Sequence, residues 1–151
     1  MLFRSEKKLV LVGDTEGSFG KSILRSGSSN IIFWPSVYDR EALFTLRRNC
    51  FAYLHGHSVG GTNPSLLEAM SAGNICICHD NEFNRETTEN TAFYFTGPDD
   101  LSEMIKTVSA LSESYRKKIG DSFKKRIEEY YNWDRITEAY IQLFNHMISG
   151  L

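Results

Sequence analysis

The stretch Gly60-Gly61-Thr62-Asn63-Pro64-Ser65-Leu66-Leu67-Glu68-Ala69-Met70, ending in Ser71-Ala72-Gly73, carries the richest chemistry of the chain. Paired glycines let a backbone approach a ligand with no Cβ in the way. Thr62, Asn63 and Ser65 supply short polar groups that can cap a helix. A helix N-terminus presents free N–H groups and partial positive charge, which suits a diphosphate. Glu68, about one turn in, can accept two hydrogen bonds from vicinal ribose hydroxyls, as acidic residues do in dinucleotide sites. An ordinary capped helix with an early glutamate accounts for the same residues, and physics alone leaves both readings open.

Three other clusters are weaker. Gly20-Lys21-Ser22 follows a strand pattern and resembles a P-loop, but such a loop needs a glycine five positions earlier, and Thr15 stands there. A flexible loop with a helix beginning at Ser22 fits better. Cys76-Ile77-Cys78-His79 places two thiols on one face of a strand and the histidine on the other. Zinc needs about four converging ligands, and only His55 and His57, at another strand end, could add to them. Core thiols are the better reading, and no metal is expected. His55-Gly56-His57-Ser58 lies at the C-terminal end of a strand, where open α/β sheets hold ligands. His57, nearer the glycines, is the candidate for a direct role; solvated strand-end histidines are the plain alternative. No Gly-x-Ser-x-Gly elbow supports a serine nucleophile.

The elements that must position these residues alternate. Leu9–Val12 and Ile31–Trp34 read as strands buried on both faces, the second stopped by Pro35. Between them lies a polar stretch with a short helix around Lys21–Arg25. Asp39 caps a helix over 40–49 striped by Leu43 and Leu46. Strands follow over 50–54, 75–78 and 92–95, the last two joined by a loop. The glycine-loop helix begins with Pro64 in its first turn and stops at Gly73, a C′ position. Helices are expected over 100–112, 113–130 and 134–148. Such alternation implies an α/β, Rossmann-like parallel sheet with helices on both faces.

The 151 residues suit one domain, and 41% hydrophobic content fills a core. A formal net charge of -2 gives no general attraction to nucleic acid. No apolar run approaches the roughly 20 residues of a membrane span, and the first residues have no signal-peptide core. Cys50, Cys76 and Cys78 fit no disulfide framework, which points to a reducing cytoplasm.

The segment 60–73 resembles the signature of retaining glycosyltransferases of the GT-B fold, family four. Leu66-Leu67-Glu68-Ala69-Met70-Ser71-Ala72-Gly73 matches its helix half closely. Leu9 to Asp14, Ile32-Phe33-Trp34-Pro35, Glu41-Ala42-Leu43, Asn74 to Cys78, Glu86 and Asn132-Trp133-Asp134 resemble further pieces of it in order and spacing. The form His57-Ser58-Val59-Gly60-Gly61-Thr62-Asn63-Pro64-Ser65 is similar to a rhamnosyltransferase-like branch acting on bacterial surface polysaccharides. The resemblance implies transfer of a hexosyl group from a nucleotide-diphospho-sugar, with retention, and without a metal or other cofactor. Glu68 would hold the ribose, Trp34 and Val37 the base, and Gly61, Thr62, Asn63 and Ser65 the diphosphate and sugar. Gly13 would permit close approach at the neighbouring strand end.

Two departures stand out. The family's first glutamate lies eight positions before the second, and Gly60 stands there; His57 or backbone near Gly60 could cover its role. The family's Arg/Lys loop and N-terminal acceptor domain have no counterpart in the sequence. The expectation is therefore a donor-binding domain, as a fragment or the product of a truncated gene, inactive alone. The missing domain could bring it to the inner face of the membrane. An uncovered sheet edge and the apolar residues Trp133, Ile136, Tyr140, Leu143 and Phe144 predict self-association. The rival class is a non-catalytic nucleotide-binding or protein-interaction α/β domain.

Overall fold

The computed structural model describes residues 7–25 and 29–150. The chain divides into two units, Met1–Leu46 and Arg47–Leu151. The strands are all parallel, in two small sheets flanked by helices, a Rossmann-like α/β arrangement as the alternating pattern predicts.

In the first unit, β1 (Leu9–Val12) pairs with β2 (Ile31–Trp34), Leu9 opposite Ile31 and Val12 opposite Trp34. Helix α1 (Ser18–Leu24) connects them. Its start is earlier than Ser22. Gly17 occupies the N-cap without any side-chain cap bond, so no residue type announces this helix. Gly20 is the point of closest approach: a Cβ there would lie 2.6 Å from the Asp14 carbonyl oxygen. The strands are less buried than their apolar runs suggest, with Val12, Ile32 and Trp34 exposed. A two-stranded sheet with one connecting helix has too few elements to cover both faces. Helix α2 (Arg40–Asn49) begins as expected, with the Ala42 N–H donating to Asp39 Oδ1 at 2.9 Å.

The second unit orders its strands β3 (Tyr53–His55), β4 (Cys76–His79) and β5 (Phe93–Phe95). Helices α3 (Pro64–Ser71), α4 (Glu82–Thr87), α5 (Pro98–Ala110), α6 (Glu113–Tyr130) and α7 (Trp133–Ser149) complete it. Central β4 divides the core by its pleat, because alternate side chains point to opposite faces. Cys76 and Cys78 pack with Leu66, Ala69 and Met70 of α3 and Phe123 of α6. Ile75 and Ile77 pack with Val108 of α5 on the other side. The two thiols are thus core groups, fully buried and in no disulfide. Burial pushes the Cys78 thiol up to about 12, and that of Cys76 well above the ordinary range.

Helix α3 is bounded by its own sequence. Asn63 caps it, its side chain accepting from the Ser65 N–H at 3.0 Å, and Pro64 takes the first position. Gly73, at φ +78, reverses the chain. Gly73 N–H donates to Met70 O at 2.9 Å and Asn74 N–H to Ala69 O at 3.1 Å. This paired closure satisfies carbonyls that a helix end leaves free. Helix α4, in the stretch the sequence reads as a loop, is only six residues long. Asn81 caps its start, and Arg126 of α6 donates to Thr87 O and Glu86 O, both at 2.7 Å. Among the described residues no helix is long and apolar enough to cross a membrane.

Candidate functional site

The C-terminal ends of β3 and β4, and the loop from β3 into α3, bring the second unit's sequence candidates together. His55 ends β3, and His79 ends β4. His57 follows on the loop, its ring stacked on that of His55 with centroids 4.6 Å apart. The His57 carbonyl is held from the β4–α4 side: Asn81 Nδ2 donates to it at 3.1 Å and Asn84 Nδ2 at 3.0 Å. Asn84 Nδ2 also donates to His79 O at 2.9 Å. Buried Asn84 therefore staples the two strand-end loops together. The sequence reading missed Asn84, since it lies in the unannounced helix α4.

His55 is 1% exposed, and neither ring nitrogen has a hydrogen-bond partner. Burial, and then the neighbouring His57, push its imidazole from 6.5 down to about 4. It is held neutral. His57 itself is exposed and accessible to a ligand.

Gly60, Gly61 and Thr62 are exposed. Gly60 has φ +107, a conformation that L side chains rarely adopt. A glutamate at this position would therefore be strained on this backbone. Among the described residues, no hydrogen bond engages the N–H groups of Gly60, Gly61 or Thr62. The first turn of α3 differs. Pro64 has no N–H, Ser65 N–H is taken by Asn63 Oδ1, and Leu66 and Leu67 donate to Asn63 O. The donors available to an anion belong to the loop, while the helix contributes its dipole. A short polar chain braces this turn: Tyr53 OH donates to Ser65 Oγ at 3.1 Å, which donates to Asn63 Oδ1 at 2.7 Å.

Glu68 is not a lone carboxylate. Arg47, at the end of α2, meets its Oε2 at 2.8 Å, with the arginine side chain 15% and the glutamate side chain 50% exposed. The guanidinium orients the carboxylate, and a carboxylate has about four lone-pair positions, so acceptor capacity remains toward solvent. Arg47 is a second residue that sequence reading missed, because nothing local pairs it with a residue 21 positions on.

Gly13, Trp34 and Val37 belong to the first unit. Gly13 N–H continues the ladder by donating to Trp34 O at 3.0 Å. Trp34, ending β2, is 49% exposed, and Val37 is half-buried. Among the described residues no group of three or more His, Cys, Asp or Glu could hold a metal ion.

No family model matches the chain. It is 26% identical, over 125 residues, to the uncharacterized glycosyltransferase MJ1069 of Methanocaldococcus jannaschii, an alignment covering 80% of this chain and 32% of that protein. The chain spans about a third of that relative's length. This is a distant glycosyltransferase relationship.

Proposed function

We propose that the chain is the donor-binding domain of a retaining GT-B glycosyltransferase of family four, taking a nucleotide-diphospho-sugar. The observation that carries the reading is the loop of unengaged N–H groups at Gly60, Gly61 and Thr62, running into a capped helix with an oriented carboxylate at Glu68. The loop donors and the α3 dipole would meet the diphosphate, Glu68 the ribose and exposed His57 the sugar side. Charge developing on the leaving diphosphate is what such preorganised donors stabilise. The finer assignment is a hexosyltransferase of bacterial surface polysaccharide synthesis in the cytoplasm. It would work with an acceptor-binding domain and with the donor domain's own Arg/Lys loop, and without a metal; the chain alone would not transfer sugar.

Calorimetric titration of the chain with UDP, GDP, dTDP and ATP tests this. A sugar-nucleotide diphosphate is expected to bind, and Glu68→Ala to abolish binding with the fold retained. Tight, magnesium-dependent ATP binding would refute the reading. Silence toward every nucleotide would favour the non-catalytic interaction domain.

A further inference from the structure

The opposite end of the β3–β4 sheet bears a cavity of about 390 Å³, outside the donor loop. Its wall includes Arg48, Cys50, Phe51, Glu113, Arg116 and Lys117. Gly73, Asn74 and Ile75, the residues leading into β4, also line it. The donor loop leaves the C-terminal end of β3; this cavity lies where β3 and β4 begin, so the two are at opposite ends of the strands.

Its charges are uneven. Lys117 is neutralised by Asp121 at 2.7 Å. Arg48 has no ion-pair partner among the described residues. The Arg116 guanidinium lies over the Phe51 ring, 4.4 Å from its centroid, and its Nε is buried without a hydrogen-bond partner. Two guanidiniums thus face one carboxylate, Glu113. A buried donor without a partner costs free energy, which leaves the Arg116 side chain a reason to turn toward an anion in the cavity. Arginine forks match phosphate oxygens in pairs. The volume falls within the range of small-molecule sites, which run from about 300 to 1,000 Å³, and exceeds what a bare phosphate ion fills. Phe51 and Ile75 offer apolar wall to an organic remainder.

We infer that this cavity is a binding site for a small phosphate monoester, its phosphate held by Arg48 and Arg116 and its organic part lying against Phe51. The inference does not depend on the donor-site reading.

Cys50 reports on occupancy. It lines the cavity half-buried, its thiol donating to Asn74 Oδ1 at 3.1 Å, while Cys76 and Cys78 are fully buried. In the folded chain it is the one thiol an alkylating reagent reaches. The test is the rate of Cys50 alkylation with glycerol 3-phosphate present, against potassium chloride at equal ionic strength. Slowing of about fivefold is expected when the ligand is at about four times its Kd. The slowing should vanish in Arg48→Ala and in Arg116→Lys, while both variants keep the parent's circular dichroism and cooperative melting. Equal slowing by chloride, or protection that survives both substitutions, would overturn the site. Equal protection by a dicarboxylate such as malonate would overturn the choice of a phosphate ligand.

Discussion

Gly120 lies inside α6, where alanine is normally the better residue, so Gly120→Ala sets two effects directly against each other. Alanine gains about 0.8–1.0 kcal/mol in helix propensity over glycine. A Cβ at Gly120, however, would sit 2.2 Å from the Gly73 carbonyl oxygen and 3.0 Å from its carbon. Relief requires a separation of about 1 Å between α6 and the turn that ends α3, in an interior packed to crystal-like density. The atom in the way is backbone. It belongs to the left-handed turn closed by Gly73 N–H to Met70 O and Asn74 N–H to Ala69 O, and Asn74 is itself buried. That turn cannot rotate aside as a side chain would. Overpacking of this kind costs about 1–3 kcal/mol, and rigid backbone places Gly120 at the upper end. The net expectation is a loss of about 2 kcal/mol. Urea unfolding is the assay: with a slope of about 1–3 kcal/mol/M, the midpoint should fall by about 1 M at unchanged slope. Gly61→Ala is the control. A Cβ there meets nothing within 4 Å, so the midpoint should hold. A Gly120→Ala protein as stable as the parent, or more so, would show that the α3–α6 contact is slack and would refute the reasoning.

His55 should give the fold a pH dependence. Its imidazole is held to about 4 in the folded chain against 6.5 when free, so the unfolded state binds the extra proton between these values. Stability is full above about pH 6.5 and falls as pH drops toward 4, by up to about 3 kcal/mol. His55→Phe should flatten that limb of a stability–pH profile; an unchanged slope would mean the ring is not held neutral. The exposed apolar residues of α7, among them Trp133, Tyr140, Phe144 and Ile148, predict concentration-dependent self-association. Phe144→Asp with Ile148→Asp should shift sedimentation toward monomer without lowering the melting temperature, and a parent chain monomeric at high concentration would remove the premise.

What could be read from the sequence was local. Asp39, Pro64 and Gly73 announce helix ends because their chemistry acts within one turn, and all three stand where expected. The cysteines of β4 were legible as core thiols because the strand's pleat and apolar neighbours settle their surroundings. What escaped depends on partners distant in the chain. Helix α4 is too short to show a period and is held by Arg126, about 40 residues away. Arg47 orients Glu68, and Asn84 ties the His57 loop, only once the chain has folded. The first unit's strands look like buried strands by composition, yet burial is set by the number of covering elements, which an apolar tetrapeptide does not encode.

That sparse cover in the first unit has a kinetic consequence. Of its described residues only Gly20 is buried, whereas β4 from Cys76 to Cys78 is sealed on both faces. Backbone amides open to exchange with free energies that follow such local burial. Under native conditions the amides of β1 and β2 should therefore trade their hydrogens for deuterium well before those of β4. Protease cuts in β1 and β2 should likewise precede any cut in β4, so that early fragments keep β4 and the helix bearing Glu68 together.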